Sequence, residues 1–247
     1  CGKTIIQKEY QPLSVLKTIE EEGVTTLALV PTMWNYLFQI SNIEQFDLSS
    51  VTSCTTGGAI CPLELKRLIL KHFSSAFLID TFGQTETASS ATILKGEDAI
   101  RKTDSVGRAA LNVELRVVDE EMNDVPIGEI GEIVYRGPSV MKEYYKNETA
   151  TMEAFKGGWF HSGDLVRMDE EGFIYVIDRK KDMLISGGEN IYPAEIETVL
   201  QGHPAIMDCA VIGIPDQVWG ESVKAIIVLK QDMSLTEEEV IAYCGIQ

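Results

Sequence analysis

The residues Asp80-Thr81-Phe82-Gly83-Gln84-Thr85-Glu86-Thr87 bring an aromatic ring, a glycine, hydroxyls and carboxylates into one short run. An aromatic face can stack on a purine, and a glycine lets backbone approach a ligand. A carboxylate beside a hydroxyl can hold Mg2+ together with phosphate oxygens. On residue type, Phe82 is read against a base, Thr85 against phosphate and Glu86 as the ligand of the cation. The plain alternative is a polar turn after a buried strand. Gly57-Gly58-Ala59 is a second such turn, where small residues would let a flat ligand lie on the backbone; taken alone it reads as ordinary turn chemistry.

A second group lies further along the chain. Asp164 follows Ser162-Gly163 in what reads as a tight turn, and Arg179 leaves the next strand. A carboxylate held by a turn suits a grip on ribose hydroxyls, and a planar guanidinium suits ribose or phosphate oxygens. Taken singly, each is more commonly a surface charge. His72, His161 and His203 are isolated and lack the ligand spacing of a zinc site. There is no G-x-S-x-G elbow, no G-x-x-x-x-G-K-[ST] loop and no G-x-G-x-x-G fingerprint.

The elements that must position these residues follow from periodicity. Val15, Leu16 and Ile19 predict a helix stopped by Gly23, and Thr25–Val30 predicts a strand buried on both faces. Pro31 opens a helix through Ile40, Val51–Thr55 predicts a strand ending at the glycine pair, and Pro62 begins a helix with Leu65, Leu68 and Ile69 on one face. Ala76–Asp80 predicts the strand before Phe82. This order implies a mostly parallel sheet whose ligands gather beyond the carboxyl ends of the strands. From 106 the pattern changes to short strands at Glu114–Val118, Glu132–Tyr135 and Phe173–Ile177, an antiparallel β subdomain or small barrel. After 181 a helix from Pro193 carries Ile196, Val199 and Leu200 inward, strands follow at Asp208–Ile214 and Val223–Leu229, and Thr236 caps a last helix. The fold class is α/β: a parallel αβ part over 1–105, a β subdomain over 106–180 and a small α+β lid over 181–247.

Composition narrows the partners. A net charge of -17 argues against non-specific binding to nucleic acid or an anionic membrane. No apolar run reaches the ~18 residues of a membrane span, and no signal peptide is seen. The five cysteines, Cys1, Cys54, Cys61, Cys209 and Cys244, have no CxxC spacing and read as reduced, mostly buried thiols of a cytoplasmic protein. Asn147-Glu148-Thr149 matches a glycosylation sequon and reads as a surface turn.

Taken together, these residues resemble the adenylate-forming superfamily of acyl-CoA synthetases, luciferase-type enzymes and peptide-synthetase adenylation domains. The resemblance covers essentially the whole chain. Its motifs occur in order: Gly57-Gly58-Ala59, Phe82-Gly83-Gln84-Thr85-Glu86, Gly128-Glu129-Ile130-Gly131-Glu132, Trp159-Phe160-His161-Ser162-Gly163-Asp164 and Asp178-Arg179-Lys180-Lys181-Asp182. It implies that a carboxylate attacks the α-phosphate of ATP, releasing pyrophosphate, and that a thiol then displaces AMP. Asp164 and Arg179 would hold the ribose, Phe82 and Gly57 to Ala59 the adenine, Thr85 the phosphate and Glu86 the Mg2+, with Asp80, Thr81, Gly83 and Gln84 completing the nucleotide site. Lys181 occupies the hinge position. Ser186, Gly187, Gly188 and Glu189 would serve CoA, with Trp219 stacking on its adenine or simply anchoring a loop. The wording Ser-Gly-Gly-Glu-Asn-Ile-Tyr-Pro-Ala-Glu-Ile-Glu looks like acyl-CoA ligases, whereas peptide-synthetase domains carry a G-x-R-I-E version.

The resemblance also implies a T-S-G-T-T-G-x-P-K-G phosphate loop before residue 1 and an adenylation lysine beyond Cys244. Neither is among the 247 residues, and Lys224 and Lys230 lie in a strand pattern and do not replace the lysine. Loss of such a group typically costs about 10²–10³ in rate, so these residues alone are expected not to complete adenylation. The expected function is part of an ATP-dependent acyl-CoA ligase acting on a fatty or related acid. A non-catalytic AMP- or acyl-AMP-binding fragment, an inactive truncation product and an aryl-CoA ligase stand as alternatives. Trp34, Gly57, Gly58 and Ala88-Ser89-Ser90-Ala91 are expected to border the acyl pocket. The expected partners are a small carboxylic acid, ATP and CoA, without nucleic acid, and a homodimer is the assembly considered.

Overall fold

The computed structural model describes residues 2–245; the expectations for Cys1, Ile246 and Gln247 lie outside them. The fold is α/β. The chain falls into two compact units. The first runs to Arg116 and takes up Tyr135–Phe160 and Met168–Tyr175. The second comprises Val117–Val134, His161–Arg167 and the described chain from Val176 onward.

In the first unit, α1 (Pro12–Glu22), β1 (Thr26–Ala28), α2 (Pro31–Phe38), β2 (Ser53–Gly57), α3 (Leu63–His72) and β3 (Phe77–Phe82) alternate, followed by β4 (Thr92–Lys95), α4 (Asp98–Arg101) and β5 (Arg108–Ala109). Proline in the first turn of α1 and α2 fits the missing N–H of that position. Gly23 closes α1 in the left-handed region at φ 59°, its N–H donating to the Ile19 carbonyl. The sheet order is β1-β2-β3-β4-β5. Its first two pairings are parallel and its last two antiparallel, so it is mixed rather than mostly parallel. The expected strand Thr25–Val30 is shorter than predicted and not buried on both faces. It has a single neighbour, β2, and Thr26 and Ala28 are exposed. Beneath the sheet, Trp34 packs edge-on against Phe73 within a core that includes Leu16, Ile19, Leu37 and Ile69. Leu68 was expected on the buried face of α3 and is instead 37% exposed; Lys66 is buried in the helix.

The four-stranded sheet β6-β7-β8-β9 consists of β6 (Glu114–Val118), β7 (Ile130–Arg136), β8 (Phe160–Met168) and β9 (Ile174–Arg179) in sequential order. It is an open sheet, which removes the small-barrel alternative. Asn147, expected in a surface turn, caps α5 (Glu148–Ala154) by accepting the Ala150 N–H at 3.1 Å.

From Leu184 the chain forms the antiparallel sheet β11-β10-β13-β12, built from β10 (Leu184–Ser186), β11 (Glu189–Ile191), β12 (Ile206–Asp216) and β13 (Gly220–Leu229), together with α6 (Pro193–Gln201) and α7 (Glu237–Cys244). Leu200, Ile206 and Val211 centre its core, with Ile196, Ile227 and Val240 packed around them. Thr236 caps α7, as the sequence predicts, and Glu239 completes a reciprocal capping box with it. Cys54 and Cys61 are buried, Cys209 and Cys244 partly so, and all four are free thiols.

Candidate functional site

In the first unit, a cleft of about 440 Å³ opens beyond the carboxyl ends of β1, β2 and β3. This is where a sheet with parallel strands places its ligands. Gly57, Gly58, Thr81, Gly83, Gln84 and Thr85 line it. Val30, Met33 and Ser89 line it as well. Met33 and Val30 carried no sequence signal beyond their place at a strand-to-helix junction. Trp34, expected at the acyl pocket, is wholly buried in the core and is not part of this lining.

Two glycines of the cleft are required by the protein's own packing. Gly57 pairs with Thr81, and a β-carbon at Gly57 would stand 2.6 Å from both Thr81 O and Oγ1. The Thr81 hydroxyl fills that space and donates to the Thr56 carbonyl at 3.2 Å. A β-carbon at Gly83 would stand 2.7 Å from Ala91 N and 2.8 Å from Ser89 O. Close approach of the 87–91 loop thus requires a glycine at position 83, which also lines the cleft. Gln84 is different. Its side-chain Nε2 is buried with no hydrogen-bond partner among the described residues. A buried amide donor without an acceptor carries a desolvation cost that a bound acceptor would relieve.

Phe82, Ala59, Asp80 and Glu86 lie outside the lining of the cleft. Phe82 is partly buried at the end of β3 and pairs with Thr92; Ala59 is exposed. Asp80 forms a buried ion pair with Lys66 at 3.0 Å. Burial pushes the Asp80 carboxyl up, with Lys66 pulling it back. Lys66 also donates to the Thr103 carbonyl at 2.9 Å. Glu86, in the helical turn after β3, accepts the Tyr144 hydroxyl on Oε1 at 2.9 Å, while its carbonyl accepts the Met141 N–H at 2.7 Å. Burial and then Glu86 raise the Tyr144 phenol, which keeps it a donor. Among the described residues no group of three or more His, Cys, Asp or Glu could hold a metal by itself. A single carboxylate beside a hydroxyl instead fits a Mg2+ that arrives on phosphates and keeps most of its other ligands.

In the second unit, Asp164 lies inside β8 and not in a turn, with Gly163 before it at φ 74°. Its carboxylate is 4% exposed as a residue and accepts from Arg179 Nε at 2.8 Å. Burial pushes it up to about 6; Arg179 opposes the shift and Glu132 adds to it. Glu132 was missed as an individual. It accepts the Gly163 N–H at 3.1 Å and faces His161 Nδ1 at 3.1 Å and Lys180 Nζ at 3.3 Å. Burial raises its carboxyl, but the bonds from His161 and Gly163, with Lys180, outweigh that and hold it below its ordinary range. Its only sequence signal was membership of the 128–132 motif.

Lys181 is exposed in the turn between β9 and β10. Asp178, at the end of β9, accepts the Ala194 N–H at 3.0 Å and caps α6, whose own N-cap residue Tyr192 offers no side-chain bond. Gly187 and Gly188, at φ 60° and 89°, make the two-residue turn between β10 and β11. Positive φ at both positions is what such a hairpin demands. Ser186 donates to the Glu221 carbonyl at 2.7 Å, and Glu189 is exposed. Trp219 is 59% exposed. Its loop is tied by Asp216, which accepts the N–H groups of Val218 at 2.7 Å and Trp219 at 2.9 Å. A larger apolar hollow of about 720 Å³ lies among Leu200, Ile227, Leu235 and Val240, the core side chains of this part of the chain, and offers little chemistry.

The AMP-binding enzyme family matches residues 2–145, and the AMP-binding enzyme C-terminal domain matches residues 195–246. A feruloyl-CoA synthase from Amycolatopsis is 40% identical over 242 residues, covering 98% of this chain and 49% of its own length. A long-chain-fatty-acid–CoA ligase from Mycobacterium tuberculosis is 37% identical over 245 residues, covering 99% of this chain and 48% of its own. O-succinylbenzoate coenzyme A synthetase from Bacillus subtilis, in complex with ATP and magnesium ion, superposes with a TM-score of 0.83 at 34% identity, covering 97% of this chain and 48% of its own. The chain thus spans about half the length of the curated relatives it matches.

Proposed function

Since the chain belongs to the AMP-binding enzyme family, we propose that it forms part of an AMP-forming acid–thiol ligase working in the cytoplasm. In the first step a carboxylate oxygen of the acid bonds to the α-phosphorus of ATP as the bond to pyrophosphate breaks. In the second the sulfur of CoA bonds to the acyl carbon as AMP leaves.

The cleft beyond β2 and β3 takes the adenine, with the backbone of Gly57 and Gly58 as its surface; Ala59 and the ring of Phe82, outside that lining, are assigned to the adenine by the family resemblance. Gln84 supplies a hydrogen-bond donor, and Thr85 a hydroxyl to phosphate oxygen. Glu86, held by Tyr144, ligates Mg2+, which supplies charge neutralisation on the phosphates when bound. Asp164 accepts from ribose hydroxyls and Arg179 donates to ribose oxygens. The hairpin Ser186 to Glu189 and the ring of Trp219 serve CoA, with Lys181 as the hinge. Asp80 is assigned to holding β3 through Lys66. The observation that carries this reading is the cleft at the ends of parallel strands, whose lining includes Gln84 with its buried, unpartnered Nε2.

The acid is a fatty or related monocarboxylic acid. An aryl acid is the second reading, favoured by the 40% identity to a feruloyl-CoA synthase. Isothermal titration of the 247-residue chain with AMP and with non-hydrolysable acyl- and aryl-adenylate analogues tests the assignment. Saturable binding is expected, tighter for the fatty-acyl analogue, and no heat at millimolar ligand would remove the reading. ATP–pyrophosphate exchange by the same residues is expected to be absent with either class of acid; robust exchange would show that they suffice for the first step.

A further inference from the structure

Glu132, in β7, is 7% exposed and gathers donors from two other stretches of chain. Oε1 accepts the Gly163 N–H at 3.1 Å. Oε2 faces His161 Nδ1 at 3.1 Å and Lys180 Nζ at 3.3 Å. Glu120 also lies near Lys180 Nζ, at 3.9 Å, but is mostly exposed. Gly163 immediately precedes Asp164, and Lys180 immediately follows Arg179. The Lys180 N–H donates to the Gly163 carbonyl at 2.9 Å. One carboxylate therefore grips the chain beside each member of the Asp164–Arg179 ion pair.

A buried carboxylate is costly unless its oxygens are well bonded. Glutamate nevertheless suits this place, because an ionised carboxylate accepts several donors at once and a neutral amide accepts at one oxygen only. The grip also falls on a glycine with positive φ inside a strand. Gly163 sits at φ 74°, a region glycine enters without penalty and leaves as easily. Fixing its N–H removes that freedom next to Asp164.

We propose that Glu132 is a positioning residue for the nucleotide ribose, presetting Asp164 and Arg179 in register before the ligand arrives. The inference rests on the assignment of that pair to the ribose. Groups that hold a ligand-binding side chain in place typically contribute about 10–100-fold to affinity.

The test uses the 247-residue chain with nitrogen-15 labelling, adenosine as the probe, and Glu132→Ala and Glu132→Gln variants. In Glu132→Ala, Gly163 and Lys180 amide exchange is expected to speed by at least about tenfold, the Arg179 Nε–H resonance to move, and adenosine affinity to fall about 10–100-fold. Amides of β12 and β13 should exchange as before. Glu132→Gln keeps an acceptor for Gly163, so it should restore protection there, leave Lys180 loosened and give intermediate affinity. It also decides the matter if the alanine variant does not fold. Unchanged exchange at Gly163 and Lys180, or altered exchange with unchanged adenosine affinity, overturns the proposal. If the unsubstituted chain binds no adenosine while the variants still loosen Gly163 and shift Arg179, the ribose assignment fails and the grip on the pair stands.

Discussion

The indole of Trp219 lies over the bare α-carbon of Gly187, where a β-carbon would stand 2.8 Å from Cε3 and 3.1 Å from Cζ3. The Gly187 N–H donates to the Trp219 carbonyl at 2.9 Å, so the ring and the hairpin turn form one piece. The ring stays 59% exposed, with apolar surface available for a flat partner.

Replacing Gly187 by alanine would set a side chain in a left-handed conformation and push against that ring. Gly187→Ala is expected to cost about 1–3 kcal/mol, read from urea unfolding. Trp219→Ala removes a mostly exposed ring and is expected to leave stability nearly unchanged while weakening CoA binding in a calorimetric titration. Equal CoA binding by both proteins would assign the ring to loop packing.

Lys66 and Asp80 are a buried pair whose side chains are 1% and 11% exposed. Removing one partner leaves the other charge buried. Lys66→Ala is expected to destabilise the chain by about 3–5 kcal/mol, whereas a Lys66→Met, Asp80→Leu double variant should recover much of that loss. Chemical denaturation of the three proteins measures both values. A double variant that folds and still binds AMP would assign Asp80 to the scaffold.

Asp164 titrates near 6, above its ordinary 3.8, chiefly because it is buried. The sign follows from which state holds the proton. As pH falls through about 6 the folded protein protonates Asp164 before the unfolded chain does, so this group favours folding in that window while its charged form is lost. Adenosine affinity is expected to fall about tenfold per pH unit below 6 and to level off above 7. Adenosine is the suitable probe because a nucleotide phosphate itself titrates near pH 6. Asp164→Asn should bind weakly with no such pH dependence; a profile that matches the unsubstituted chain would exclude Asp164 as its source.

The Tyr144 hydroxyl orients one oxygen of Glu86. Tyr144→Phe removes that bond and little volume. The Mg2+ concentration needed for half-maximal binding of a non-hydrolysable ATP analogue is expected to rise about threefold to tenfold, for roughly 1 kcal/mol of lost hydrogen bonding. Adenosine binding without Mg2+ should be unaffected. An unchanged Mg2+ midpoint would place the metal elsewhere.

What could be read from the chain was what local rules govern. Val15, Leu16 and Ile19 declared α1 by their spacing, and Thr236 declared the start of α7. What escaped depends on distant partners. Ser162-Gly163-Asp164 reads as a tight turn, yet it lies inside the strand Phe160–Met168: Ser162 donates to the Ile133 carbonyl at 2.6 Å and Glu132 holds Gly163. Lys66 carries no local sign of its buried ion pair with Asp80. Tyr144 carries no local sign of its bond to Glu86, 58 positions away. The need for glycine at 57 and 187 likewise depends on distant partners, Thr81 and Trp219, which occupy the space a β-carbon would take.

Asp178 and Ala194 lie on opposite sides of Lys181 in the chain, and they are joined by the hydrogen bond that caps α6. If Lys181 is the hinge, as proposed, a swivel of the backbone there would release it. A bond to a charged carboxylate is worth roughly 1.5–3 kcal/mol, so taken by itself this bond would be open about one part in ten to one in a hundred of the time. On that proposal the cap of one short helix would also be a catch: strong enough to favour one position, and weak enough for thermal motion to undo.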